Sequence, residues 1–281
     1  MHPPITYSKK GGDLQNPRKN FSYAGAKGQE LNSPSAQDKP IWSTLARPTQ
    51  LLPEGDWTVW LILAGRGFGK TRTGAEAVLQ WIRTQKCQSV ALIGETEDEV
   101  RRVMIEGESG LLTISPDDER PKYTICKGEL LWPCGAKGLI YTAENYEKLR
   151  GAQFDGAWVD ELAKFRNAQQ VWDQMMFGLR LGAHPQVVVT TTPRPLALLE
   201  TLMNDATTHL TRGSTYDNKD NLSPVFVNQI LKTYEGTRLG AQEIHAELLL
   251  DRVGALWARD LIIYGMPSSV LINKKTSQTS N

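Results

Sequence analysis

Residues 58 to 71, Thr-Val-Trp-Leu-Ile-Leu-Ala-Gly-Arg-Gly-Phe-Gly-Lys-Thr, run from an apolar β-type segment straight into a glycine-rich turn that ends in Gly-Lys-Thr. Such a junction asks for a buried strand that stops, a backbone that turns its N–H groups toward one point, and a helix that starts there. This is the pattern of a phosphate-binding loop. Gly65, Gly67 and Gly69 let the backbone face an anion, Lys70 can reach β/γ-phosphates, and the Thr71 hydroxyl can hold Mg²⁺ beside a helix N-terminus. One position departs from G-x-x-x-x-G-K-[ST]: its first glycine is Ala64. Gly-Lys-Thr alone also occurs in plain surface turns. The nucleotide reading is favoured by its context, a β-rich run before the loop and helical spacing of Ala75, Val78, Leu79 and Ile82 after it.

Composition removes several other classes. With 281 residues and 40% apolar content the chain has room for one large or two small cores. Thirty-two basic and 31 acidic side chains leave a formal charge of +1, so any nucleic-acid contact has to come from a local basic patch. Three cysteines, Cys87, Cys126 and Cys134, lack C-x-x-C spacing and are odd in number, which fits free thiols in a reducing compartment. The four histidines form no metal-ligand pattern. No apolar run approaches the ~20 residues of a membrane span, and no secretory signal opens the chain.

Residues 1–40 are rich in Gly, Ser, Pro, Asn, Gln and Lys without apolar rhythm, and are expected to be a disordered arm. Its Lys9, Lys10, Arg18, Lys19 and Lys27 can touch nucleic acid, although a solvated tail is the simpler reading. The P-loop domain is expected over 41–215. At its start, Gln50 in the turn-rich Ala46-Arg47-Pro48-Thr49-Gln50 can hydrogen-bond an adenine edge if it folds over the loop. Ser89 to Gly94 predicts a second buried parallel strand closing a βαβ unit. Glu95 to Glu106 predicts an amphipathic helix with Val100, Val103 and Met104 inward. Asp117-Asp118-Glu119 resembles a metal site by composition only and is more simply a solvated loop. Residues 121–142 alternate around glycines, which predicts antiparallel β-hairpins inserted in the α/β pattern.

A second informative strand, Gly156-Ala157-Trp158-Val159, ends in Asp160-Glu161. Open α/β sheets place ligand groups at strand ends, so Asp160 can hold Mg²⁺ through its water shell while Glu161 polarises an attacking water. Asp155 precedes the strand and would lie at its wrong end. Helical spacing follows over 168–181, and another apolar strand runs from Gln186 into Thr190-Thr191-Thr192-Pro193. That hydroxyl-rich end can sense a γ-phosphate and couple its loss to movement, or the threonines are there for β-propensity. A short helix is predicted over 195–204, a last strand over 209–214, and helices over 223–234 and 240–250. These last helices belong to an expected lid or linker subdomain, 216–264, followed by a disordered tail over 265–281.

Ala64-Gly65-Arg66-Gly67-Phe68-Gly69-Lys70-Thr71-Arg72, Leu149-Arg150-Gly151 before Trp158-Val159-Asp160-Glu161, Thr190 to Pro193, Tyr216-Asp217-Asn218 and Tyr234 to Arg238 together resemble the large terminase subunit of tailed bacteriophages, over about residues 41–262. The resemblance implies a P-loop NTPase core of the RecA-like, additional-strand, catalytic-glutamate class, with a mostly parallel central sheet and helices on both faces. It implies an ATPase that uses ATP and Mg²⁺ to move double-stranded DNA into a procapsid, in the cytoplasm of the bacterial host. The implied partners are the portal protein, the small terminase subunit and further copies of the chain in a ring. By the same likeness Lys70 and Thr71 bind phosphate and metal, Asp160 the metal, Glu161 activates water, and Thr190 to Thr192 couple hydrolysis to movement. Arg66 resembles the family's phosphate-facing arginine. Arg150 resembles an arginine finger for a neighbour's nucleotide, or is a surface ion pair.

Large terminases continue into a nuclease domain, whose first strand would follow soon after Ala255-Leu256-Trp257. Residues 265–281 hold no apolar strand ending in Asp, so nuclease activity is not expected of this chain. Two other readings stand beside the packaging ATPase. A helicase-type translocase would need a second RecA-like lobe, for which 194–264 is too short and too helical. A non-hydrolysing remnant or interaction module would keep the fold without turnover, and the intact Lys70, Asp160 and Glu161 weigh against it.

Overall fold

All six residues of β1 (Val59–Ala64) are buried. They alternate between two cores: Val59, Leu61 and Leu63 enter one, Trp60, Ile62 and Ala64 the other. A strand covered on both faces needs parallel neighbours and helices above and below. A computed structural model describing residues 42–249 supplies both. β1 lies parallel between β7 (Gln186–Thr191) and β8 (Thr208–Gly213). β2 (Ser89–Gly94) lies parallel between β5 (Lys137–Thr142) and β6 (Gly156–Asp160), and β6 pairs in parallel with β7. Two short antiparallel strands, β3 (Lys122–Thr124) and β4 (Glu129–Leu131), extend one edge. Among the described residues the order is β3-β4-β5-β2-β6-β7-β1-β8. The predicted hairpin region therefore forms that edge, and its last strand, β5, joins the parallel sheet through six paired residues of β2.

Among the described residues, eight α-helical segments connect or cover these strands: α1 (Trp42–Leu45), α2 (Lys70–Arg83), α3 (Glu97–Glu99), α4 (Leu111–Ile114), α5 (Ala168–Gly178), α6 (Ala197–Asn204), α7 (Pro224–Tyr234) and α8 (Arg238–Glu243). One core packs α2, the segment after α3, and α4 against the sheet, and the other packs α5 and α6. Ala75, Val78, Leu79 and Ile82 of α2 are buried as their spacing predicts. Gly74 lets α2 approach β6: a Cβ there would lie 2.3 Å from the Trp158 indole.

The helix expected over 95–106 is different in kind. After one α-turn the chain winds as a π-helix from Val100 to Ile105. The i→i+5 bond from Glu106 N–H to the Arg101 carbonyl widens the turn. Ile105 rotates into the core with Val100 and Met104, whereas Val103, expected inward, is 40% exposed. α5 stops at Gly178 instead of Leu181. The last predicted helix starts at Arg238 and stops at Glu243, and Ala246 with φ +56° carries the backbone out of helical geometry.

All three cysteines are free, Cys87 buried and the other two exposed. No described helix is long and apolar enough to cross a membrane. The expected N-terminal arm (1–40), the tail (265–281) and the segment around 255–257 lie outside the described residues, as does the end of the 216–264 subdomain.

Candidate active site at the phosphate-binding loop

In chain order β2 follows β1, but in space β7 separates β1 from β6. The C-terminal ends of these three neighbours therefore stand side by side: Ala64-Gly65, Thr191-Thr192 and Asp160-Glu161. Carboxyl ends of parallel strands are where such sheets bind ligands. Ala64 is the last residue of β1, fully buried and without a positive φ, so this position does not require the glycine of the motif. Gly65 does require it, because a Cβ would lie 2.5 Å from the Ile244 carbonyl oxygen. Gly67 and Gly69 have φ of +75° and +98°, and Gly69 is the N-cap of α2.

Lys70 opens α2 and is buried. Its Nζ donates to the carbonyls of Ala64 (3.0 Å) and Gly65 (3.3 Å) and to Thr192 Oγ1 (2.9 Å). Thr192 also faces Glu161: its N–H donates to Glu161 Oε2 at 3.1 Å and its hydroxyl lies 3.5 Å from Oε1. Lys70 Nζ is itself 3.5 Å from Glu161 Oε1. One threonine thus joins the loop lysine to the carboxylate across the strand between them.

Glu161 adopts a left-handed conformation, φ +56° and ψ +45°, which a residue with a Cβ keeps only where its surroundings hold it. Its N–H donates to the Thr190 carbonyl, and the next turn is pinned by Ala163 N–H to Thr191 Oγ1 at 3.0 Å. Thr190 serves Asp160 instead. The buried Trp158 indole donates to Thr190 Oγ1 at 3.0 Å, and that hydroxyl donates to Asp160 Oδ1 at 2.6 Å. Burial pushes the Asp160 carboxyl up to about 7, against the Thr190 hydrogen bond, which pulls it down, and with the Glu161 charge adding to the rise.

Thr71, Asp160 and Glu161 line one cavity. Its hydroxyl and carboxylate oxygens are hard donors. Among the described residues no group of three or more His, Cys, Asp or Glu side chains forms an all-protein cage. This set suits Mg²⁺, which keeps several waters and takes one or two protein oxygens. A buried Asp160 is also costly to ionise unless a cation sits beside it.

Two expected residues point elsewhere. The Arg66 side chain is 70% exposed and pairs with Glu243 at 2.7 Å, while its backbone N–H donates to the Glu243 carbonyl. Arg150 is 65% exposed and pairs with Glu147 at 2.9 Å, the ion-pair alternative of the sequence reading. Gln50 does fold over the loop, where it is buried. Its Nε2 donates to Thr73 Oγ1 at 3.0 Å and its Oε1 accepts the Arg47 N–H. Asp155 lies at the opposite end of β6 from Asp160 and accepts the N–H groups of Gln88 and Ser89.

Sequence reasoning missed the brace behind the loop. Thr215 Oγ1 donates to the Arg66 carbonyl at 2.7 Å, Asn218 Nδ2 to the Gly67 carbonyl at 2.6 Å, and Arg47 to the Phe68 carbonyl. The Arg47 guanidinium also lies over the Phe68 ring. The only pointer was Tyr216-Asp217-Asn218, which carried part of the resemblance without an assigned role.

The profile of the family described as terminase large subunit, T4likevirus-type, N-terminal, matches residues 61–262. No curated protein matches the sequence. Among solved structures, the large terminase of a thermophilic bacteriophage is similar, with a TM-score of 0.57 and 15% identity over 74% of this chain and 51% of that one. The same large terminase in complex with ADP gives the same values. The Thermus phage P74-26 large terminase ATPase domain has a TM-score of 0.53 and 14% identity over 69% of this chain and 90% of that domain. The chain spans about half the length of the first of these terminases. At these identities the structures report a shared fold.

Proposed function

The chain belongs to the T4likevirus-type terminase large-subunit family, in its N-terminal part, and on that premise we propose that it hydrolyses ATP to move double-stranded DNA into a procapsid. The observation that carries this reading is Thr192, which touches both the Lys70 ammonium and the Glu161 carboxylate. A group so placed links phosphate binding to the acid–base residue and reports on both.

The loop N–H groups around Gly65, Gly67 and Gly69 cradle the phosphates, and Lys70 exchanges its carbonyl partners for β/γ-phosphate oxygens. Mg²⁺, held by Thr71 and through its water shell by Asp160, would neutralise charge between the β- and γ-phosphates. Glu161 orients a water and accepts its proton as the oxygen bonds to the γ-phosphorus and the bond to the bridging oxygen of ADP breaks. Thr192 loses one of its two partners when Lys70 shifts, and Thr190 to Thr192 pass that change into β7. Gln50 offers its remaining amide hydrogen and lone pair to the adenine edge. Arg66 leaves Glu243 for the phosphates, and the exposed Arg150 reaches the nucleotide of a neighbouring copy in a ring docked on the portal. Residues 41–215 form the ATPase domain and 216–264 a lid or linker subdomain, and the small terminase subunit is a further partner in the host cytoplasm.

ATP binding and turnover by the full chain, with double-stranded DNA and portal present, test the assignment. Lys70→Ala is expected to lose ATP binding, and Glu161→Gln to bind ATP without hydrolysing it. Lys70→Ala indistinguishable from wild type in both measurements ends the reading.

A further inference from the structure

Two charged residues line the same cavity as Thr71, Asp160 and Glu161 without a part in the steps above: Glu99 and Lys164. Glu99 is the last residue of α3, where α-winding gives way to the π-turn. Glu99, Val100, Val103 and Met104 all line the cavity, beside a π-turn of the kind that recurs at functional sites. Gly94 permits the close approach, since a Cβ there would lie 2.7 Å from Val100 Cγ2.

Lys164 ends the turn that begins at Glu161. Its N–H donates to the Glu161 carbonyl at 2.8 Å, closing the turn. The near end is held by Thr190 and the middle by Thr191. At the far end the Lys164 ammonium pairs with Glu99. The left-handed Glu161 thus sits in a turn fastened at three points, the third of which reaches the cavity's other wall. Several surface ion pairs join residues only three or four apart in sequence, as in Arg102–Asp98, Arg120–Asp117 and Arg150–Glu147. Glu99–Lys164 joins two strand-end segments 65 residues apart.

We propose that Lys164 is a positioning residue for ATP hydrolysis: its ion pair with Glu99 fixes the far end of the turn that aims the Glu161 carboxylate. The proposal rests on the reading that Glu161 activates water. The pair sets the rate of the chemical step and leaves nucleotide affinity alone, because neither residue belongs to the loop that holds the phosphates.

The test compares full-length wild type, Lys164→Met, Glu99→Gln and the reversed pair Glu99→Lys/Lys164→Glu. Turnover is measured with DNA and portal, binding with a fluorescent ATP analogue, and hydrogen exchange at the amides of Glu161 to Lys164. Each single variant should lower kcat about fivefold, the kinetic equivalent of the most that a half-exposed pair supplies, with KM and binding within about twofold. Exchange at the turn should quicken in the single variants, and the reversed pair should restore both quantities. Single variants equal to wild type in kcat and exchange overturn the proposal, as does a reversed pair no better than either. Absence of turnover in wild type counts against hydrolysis itself, and exchange then decides alone: a turn undisturbed by Lys164→Met overturns the positioning role.

Discussion

Thr190→Val is a near-isosteric change that deletes one hydroxyl and keeps the β-branched shape of the strand. In the native protein that hydroxyl accepts from the Trp158 indole at 3.0 Å and donates to Asp160 Oδ1 at 2.6 Å, among buried side chains. Its removal leaves a buried indole N–H without a partner, costing about 1–3 kcal/mol, and removes a hydrogen bond to a carboxylate worth about 1.5–3 kcal/mol. Against this, burying a methyl in place of the hydroxyl returns about 0.8 kcal/mol. The losses win, and the variant is expected to be roughly 2–5 kcal/mol less stable, a large part of the total for most domains. Urea unfolding in the presence of a chelator, at pH 8, measures the difference without bound metal. Thr190→Ser keeps the hydroxyl and should stay within about 1.5 kcal/mol of wild type, the usual scale for losing one buried methyl. If Thr190→Val unfolds at the wild-type midpoint with an unchanged m-value, the Trp158–Thr190–Asp160 relay carries no energy and the reasoning fails.

Gly74→Ala gains up to about 1 kcal/mol of helix propensity, but its Cβ would lie 2.3 Å from the Trp158 indole. Overpacking costs about 1–3 kcal/mol, so net destabilisation is expected in the same urea assay, and a stabilised variant would show that α2 and β6 are not in close contact. Burial, the nearby Asp155 charge and its hydrogen bond push the Cys87 thiol well above its ordinary range. Alkylation of the native protein followed by mass spectrometry should therefore label the exposed Cys126 and Cys134 and spare Cys87 until urea is added. Burial also raises the Glu95 carboxyl above its ordinary 4.5, and its Oε2 has no hydrogen-bond partner among the described residues. The folded chain keeps that proton longer than the unfolded one, so the contribution is present below about 4.5 and is lost as pH rises through the raised value. Glu95→Gln should flatten that decline in a pH series of unfolding free energies, and an unaltered slope counts against the assignment.

The parts of the site that were legible in the sequence are those with a local signature. β1 and α2 announce themselves through an apolar run, glycines and 3.6-residue spacing, and Asp160-Glu161 through an apolar strand that stops in carboxylates. What lies between them in space had no such signature. Chain order puts β2 between β1 and β6, whereas the sheet puts β7 there, and nothing within a buried strand says which parallel neighbour it takes; only the family resemblance implied an additional strand. The π-turn was hidden because Val100, Val103 and Met104 satisfy an α-helical stripe, and one widened turn exchanges Val103 for Ile105. Arg66 was legible as a loop arginine, but its partner Glu243 is 177 residues away. Lys164 carries no motif at all, and only the left-handed Glu161 three residues earlier gives it meaning.

The brace behind the loop has a consequence for how the molecule comes into being. Gly65 to Gly67 are fixed from behind by Gly213, Thr215, Asn218 and Glu243, up to 177 residues downstream. At about 5–20 residues per second of synthesis, roughly 9–35 s separate the emergence of the loop from that of its last support. A nascent chain therefore carries the loop's residues long before it carries the loop's shape. Whatever affinity the loop has for a phosphate ligand therefore depends on residues 213–243 being in place behind it.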